Sequence, residues 1–112
     1  MHMLVLVIKN VELVDELVRE LVKAGLQGGT ILDSTGMAGV IEGMDDAPVF
    51  GMLRHVLEED DGEDSKTMFF VVDDEELQKA KTIIRKVAGD LNQPNTGIMF
   101  SLPVEFVEGL GE

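Results

Sequence analysis

Apolar residues fall along this chain in two kinds of run, continuous and helically spaced. Met3 to Ile8 is unbroken, Met-Leu-Val-Leu-Val-Ile, and Lys9 closes it. Strand side chains alternate between faces, so a run apolar at every position is apolar on both faces. That predicts a central strand covered on two sides. Asn10 then stands where a helix N-cap belongs. Val14, Leu17, Val18, Leu21 and Val22 recur at helical spacing, which leaves Glu12, Asp15, Glu16, Arg19, Glu20 and Lys23 on the opposite face. Asp15 and Arg19 have the spacing of a helical ion pair. Gly25 follows as the residue that closes such a helix in the left-handed region. Gln27-Gly28-Gly29 reads as a turn, and Thr30 to Thr35 as a second, more polar strand nearer an edge. Gly36 to Gly43 continues it loosely, its glycines arguing against a regular ladder.

The pattern then weakens and returns. Between Met44 and Ser65 stand Pro48, two acidic clusters and one island of helical spacing: Val49, Met52, Leu53, Val56 and Leu57. The island predicts a short helix from about Pro48 to Leu57, with the proline in its first turn. Glu58 to Asp64 is a charge run and reads as a solvated loop. Lys66 to Val72 is a second strand apolar on both faces. Asp73-x-x-Glu76 has the form of a capping box, with Asp74 as the other choice of cap. Leu77, Ala80, Ile83, Ile84 and Val87 form one helical face. Acidic residues open this helix and Lys79, Lys81, Arg85 and Lys86 fill its later turns, in accord with the helix dipole. Gly89 closes it. A polar loop with Pro94 leads into Asn95-Thr96-Gly97 and a last apolar strand, which Pro103 ends.

The two halves share one plan. Asn10 and Gly25 bracket the first helix as Asp74 and Gly89 bracket the second, at equal spacing. The order is therefore β-α-β, a long connection from about residue 36 to 66, and β-α-β again. Right-handed crossovers turn this into an α+β, ferredoxin-like split β-α-β sandwich (βαββαβ): a four-stranded antiparallel sheet with two helices on one face. Leu4–Ile8 and Thr67–Val72 are the expected central pair. Two helices cover one face of that sheet, yet both central strands are apolar on both. Self-association through the open face follows, because a lone subunit would leave a large apolar patch in water.

Composition narrows the classes of function. The 112 residues favour a single domain spanning 1–112, and 45% hydrophobic content is enough for a core. With no cysteine there are no disulfides, thiolate metal sites or cysteine nucleophiles. The net charge of −13, from 22 acidic and 9 basic residues, disfavours nucleic acid and anionic lipid as partners. The start has no basic segment and no apolar run long enough to cross a bilayer, so a cytoplasmic protein without membrane insertion is expected. No nucleophile and base can be paired by spacing, and a binding protein is expected rather than an enzyme.

The ordered set of features resembles the P-II-like nitrogen-regulatory superfamily over nearly the whole chain. It includes the first β-α unit, the Gly25-Leu26-Gln27-Gly28 link, Thr30-Ile31, the long connection, Gly97-Ile98-Met99-Phe100, Val104-Glu105 and the Gly111-Glu112 end. The resemblance implies a homotrimer with its sheets facing inward, and signal transduction in nitrogen regulation. It implies ligand clefts between subunits, built from the base of the long loop and the loop before the last strand. The loop itself is expected to dock on a protein partner, a transporter or an enzyme. The candidate ligand residues are Gly28, Gly29, Thr30, Ser34, Gly36, Met37, Ala38, Asn95, Thr96 and Gly97. The candidate docking residues are Val49, Met52, Leu53 and Val56.

Several family positions differ here. Ile98, Gly109 and Gly111 stand where the family carries cations for nucleotide phosphates, and Val40 stands where it carries the glutamine for 2-oxoglutarate and metal. The usual Mg-ATP and 2-oxoglutarate cofactors are therefore not expected, and the ligand is left open. Backbone N–H groups of the glycine-rich turns remain as a cradle for something small. The alternative is a trimeric metal-binding protein of the divalent-ion-tolerance type. Met37, Met44, Met52 and His55 are soft-metal ligands by type, though more often such methionines are apolar contacts.

Overall fold

A computed structural model describes residues 1–26, 28–37, 40 and 64–110. Strand β1 (His2–Ile8) leads through a 3-10 turn (Val11–Leu13) into helix α1 (Val14–Lys23). Strand β2 (Gly29–Thr35) follows, then β3 (Asp64–Val72), helix α2 (Asp74–Ala88) and β4 (Gly97–Pro103). The sheet order is β2-β3-β1-β4 with every neighbouring pair antiparallel. β1 and β2 are thus separated by β3, which is the split β-α-β arrangement, and both apolar strands are central as the pattern required. No described helix is long and apolar enough to cross a membrane.

Helix boundaries follow local chemistry. The Asn10 side chain accepts from the Glu12 N–H, capping the 3-10 turn rather than α1 directly. At the far end of α1, Gly25 N–H donates to Val22 O at 3.0 Å and Leu26 N–H to Leu21 O at 2.9 Å. Those are the two bonds of a Schellman motif, and Gly25 supplies the left-handed residue with φ 94°. Leu21 and Leu26, the apolar pair that accompanies the motif, are both buried. For α2 the structure selects Asp73 as the cap. Its carboxylate accepts from Glu76 N–H at 2.8 Å, and Glu76 accepts in return from Asp73 N–H at 3.1 Å. Gly89, φ 78°, ends the helix.

One layer of core lies between sheet and helices. Leu4, Leu6 and Ile8 of β1 and Met68, Phe70 and Val72 of β3 meet Val14, Leu17 and Leu21 of α1 and Leu77, Ala80 and Ile84 of α2. Each aliphatic side chain buried to near zero exposure contributes about 1.5–3 kcal/mol. Val22 departs from the predicted apolar face: it is 49% exposed, at the rim of a crevice between α1 and β2. The α1 ion pair joins Lys23 and Glu20 at 3.4 Å, not Asp15 and Arg19. β2 ends at Thr35 instead of continuing. Val40 N–H donates back to Gly36 O at 3.4 Å.

No described helix lies on the other face of the sheet. Register places Met3, Val5 and Val7 of β1, Phe69 and Val71 of β3, Leu32 of β2, and Ile98, Phe100 and Leu102 of β4 on that face. Leu32, Ile98, Phe100 and Leu102 are each between 43% and 56% exposed.

Candidate functional site

The predicted ligand residues occupy three places. Asn95, Thr96 and Gly97 lead into β4, one edge of the sheet. Ser34, Gly36 and Met37 lie at the end of β2, the opposite edge. Gly97 faces Ile8, Ile8 faces Lys66, and Lys66 faces Asp33, so both groups sit at the same end of the sheet. Three strand spacings, about 14 Å, separate them. Gly28, Gly29 and Thr30 begin β2 at the other end, about 14 Å along the strand from Asp33. One chain therefore does not assemble the ten residues into one cleft. Ala38 and the docking residues Val49, Met52, Leu53 and Val56 lie outside the described residues, as do the predicted 48–57 helix, Met44, His55, Gly111 and all of the 58–64 charge run except Asp64, which begins β3 instead of ending a loop.

At the β2 corner three hydroxyls bond to one another. Thr67 Oγ1 donates to Ser34 Oγ at 2.8 Å, Ser34 and Ser65 Oγ are 2.7 Å apart, and Ser65 Oγ donates to Ser34 O at 3.3 Å. Ser65 is the one buried polar residue among those described. On the opposite face of the same strands Lys66 bonds Asp33. A hollow of about 370 Å³ lies at this corner, lined by Val11, Ser34, Ser65 and their neighbours. Sequence had named Ser34 alone; Ser65 and Thr67 become visible only once register sets them beside it.

At the β4 corner the backbone is tightly held. A Cβ on Gly97 would stand 2.1 Å from Val7 O, and its φ is 146°, so no other residue fits without movement. Asn95 adopts the left-handed region at φ 62°. Lys9 N–H donates to Thr96 O at 3.2 Å, which ties the loop to the end of β1. Beside it a cavity of about 490 Å³ opens between the end of α2, the 89–92 turn and residues 97–99 of β4. Gly97 thus fits a steric need of the fold, and Gly29 does too, lying under the Phe70 ring on the neighbouring strand.

The resolved electrostatic feature lies away from both corners. His2 at the start of β1 hydrogen-bonds Asp74 in the first turn of α2. That bond, then the charge of the imidazolium, holds the Asp74 carboxyl below its ordinary value, and the amino terminus adds to the effect. Among the described residues no three His, Asp or Glu side chains converge as metal ligands would. No family model matches the chain, and no curated protein matches it.

Proposed function

We propose that this chain is a P-II-like regulatory protein. It assembles as a homotrimer through the open sheet face, binds a small ligand between subunits and passes the signal to a protein partner through its long connecting segment. It is not an enzyme in this reading. The observation that carries the proposal is the pairing of an apolar sheet face, on which no described helix lies, with two hollows at one end of the sheet, on opposite edges. Packing copies about a threefold axis through those faces removes the apolar surface from water. It also lets the Ser34 corner of one subunit approach the Asn95–Gly97 loop of the next, which makes one cleft from two half-sites.

The ligand differs from the usual nucleotide in this proposal. Ile98, Gly109 and Gly111 supply no cation, and each subunit already carries −13. Losing three charge-assisted contacts removes about 4–9 kcal/mol of interaction. Even the lower figure carries a micromolar site to about millimolar. Calorimetry with ATP, ADP and AMP, each with and without 2-oxoglutarate, tests this. Binding no tighter than about millimolar is expected; micromolar ATP affinity would show that other cations fill the cleft.

A further inference from the structure

The cavity beside β4 is lined by one cation, Arg85, and one carboxylate, Asp90, that do not meet. Arg85, in the last turn of α2, forms no ion pair or side-chain hydrogen bond with another described residue. Asp90 spends Oδ1 on the Asn92 N–H at 2.9 Å, which fixes the turn and holds the carboxylate at the cavity wall. No ion pair joins the two. Leu91 and Met99 supply apolar wall on either side, and both also touch the core, so these walls are fixed in place. At about 490 Å³ the space is within the range of small-molecule sites.

From this arrangement we infer that the cavity between the end of α2 and β4 binds a free α-amino acid with an apolar side chain. Arg85 receives the α-carboxylate, since a guanidinium offers paired donors to two oxygens. Asp90 Oδ2 receives the α-ammonium. Leu91 and Met99 cover the side chain. A zwitterion also meets the charge condition set by the rest of the molecule, because it brings no net negative charge to a strongly acidic protein. The cavity shares Gly97 with the proposed inter-subunit cleft, but all of its lining comes from one chain, so the inference does not depend on assembly.

The test is calorimetry of the full chain with L-leucine, 4-methylpentanoate, which lacks the ammonium, and 3-methylbutylamine, which lacks the carboxylate. Leucine is expected to bind, and each analogue to bind about tenfold more weakly or not at all. Arg85→Gln and Asp90→Asn are each expected to weaken leucine by about tenfold. Asparagine keeps the turn-capping oxygen at position 90, and Arg85 is on an exposed helix surface, so both variants retain the fold; circular dichroism checks this. Amide shifts on adding leucine should centre on Leu91, Asn92, Ile98 and Met99. Absence of binding by leucine, methionine, valine and phenylalanine would overturn the inference. So would equal binding of 4-methylpentanoate, an Arg85→Gln variant with unchanged affinity, or shifts centred elsewhere.

Discussion

Gly97 and Asp74 show how much one residue can decide in so small a fold. Gly97 lies against the β1 backbone, where a methyl would be driven into Val7 O, and its φ of 146° is one that L side chains rarely adopt. Gly97→Ala is expected to lower stability by about 2 kcal/mol or more, read as a shifted urea midpoint with an unchanged slope. A variant as stable as wild type would show that the loop before β4 is free to move away. Asp74 gives a pH dependence of definite sign. A carboxylate whose folded pKa is lowered stabilises the fold above its unfolded value, about 3.8, and loses that contribution as pH falls through the folded one. Wild type should therefore exceed Asp74→Asn in stability at pH 5, and the gap should close as pH falls below about 4. Urea melts across that range measure it, and a gap unchanged down to the acid limit would contradict the His2–Asp74 assignment.

At the scale of elements, the two helices are legible in sequence because their signals are local. Asp73 and Glu76 form the reciprocal box that their spacing announces. Removing the cap in Asp73→Ala should cost about 1 kcal/mol in denaturant melts, and no measurable loss would mean that tertiary packing alone holds the start of α2. The central strands are equally legible, since Met3–Ile8 and Met68–Val72 are apolar at every position and both stand between two neighbouring strands. Other features needed three-dimensional neighbours. Val22 satisfies the helical period of α1, yet it is half exposed, at the rim of a crevice between α1 and β2 whose other rim is the half-exposed Ile31. Thr35 ends β2 where the glycines after it leave the sequence pattern ambiguous. The site was legible only in part. Glycines and small hydroxyl residues mark loops in any fold, so Gly29 and Gly97 were chosen as ligand residues, while the structure gives each a steric role. Ser65 and Thr67 are distant in sequence from Ser34, and no local pattern points to them; Arg85 is legible only as a cation in the later turns of α2, not as the wall of a cavity closed by β4.

At the scale of the whole molecule, the described residues form a well-filled helical side and a sheet side on which no described helix packs. Among the described residues, thirteen buried apolar side chains form one cluster between sheet and helices. On the other side Ile98, Phe100, Leu102 and Leu32 remain about half exposed around Val5 and Phe69. Burying that face against further copies of the chain is the central claim, since ligand clefts between subunits require it. Phe100→Asp places a charge amid this apolar surface and is expected to release monomers that keep wild-type circular dichroism, because Phe100 takes no part in the helix-side core. The direct measurement is the molar mass of the wild-type chain in solution, by light scattering coupled to size-exclusion chromatography at micromolar concentration. The account expects three times 12.2 kDa. A mass of 12.2 kDa, with the apolar sheet face left in water, would contradict it.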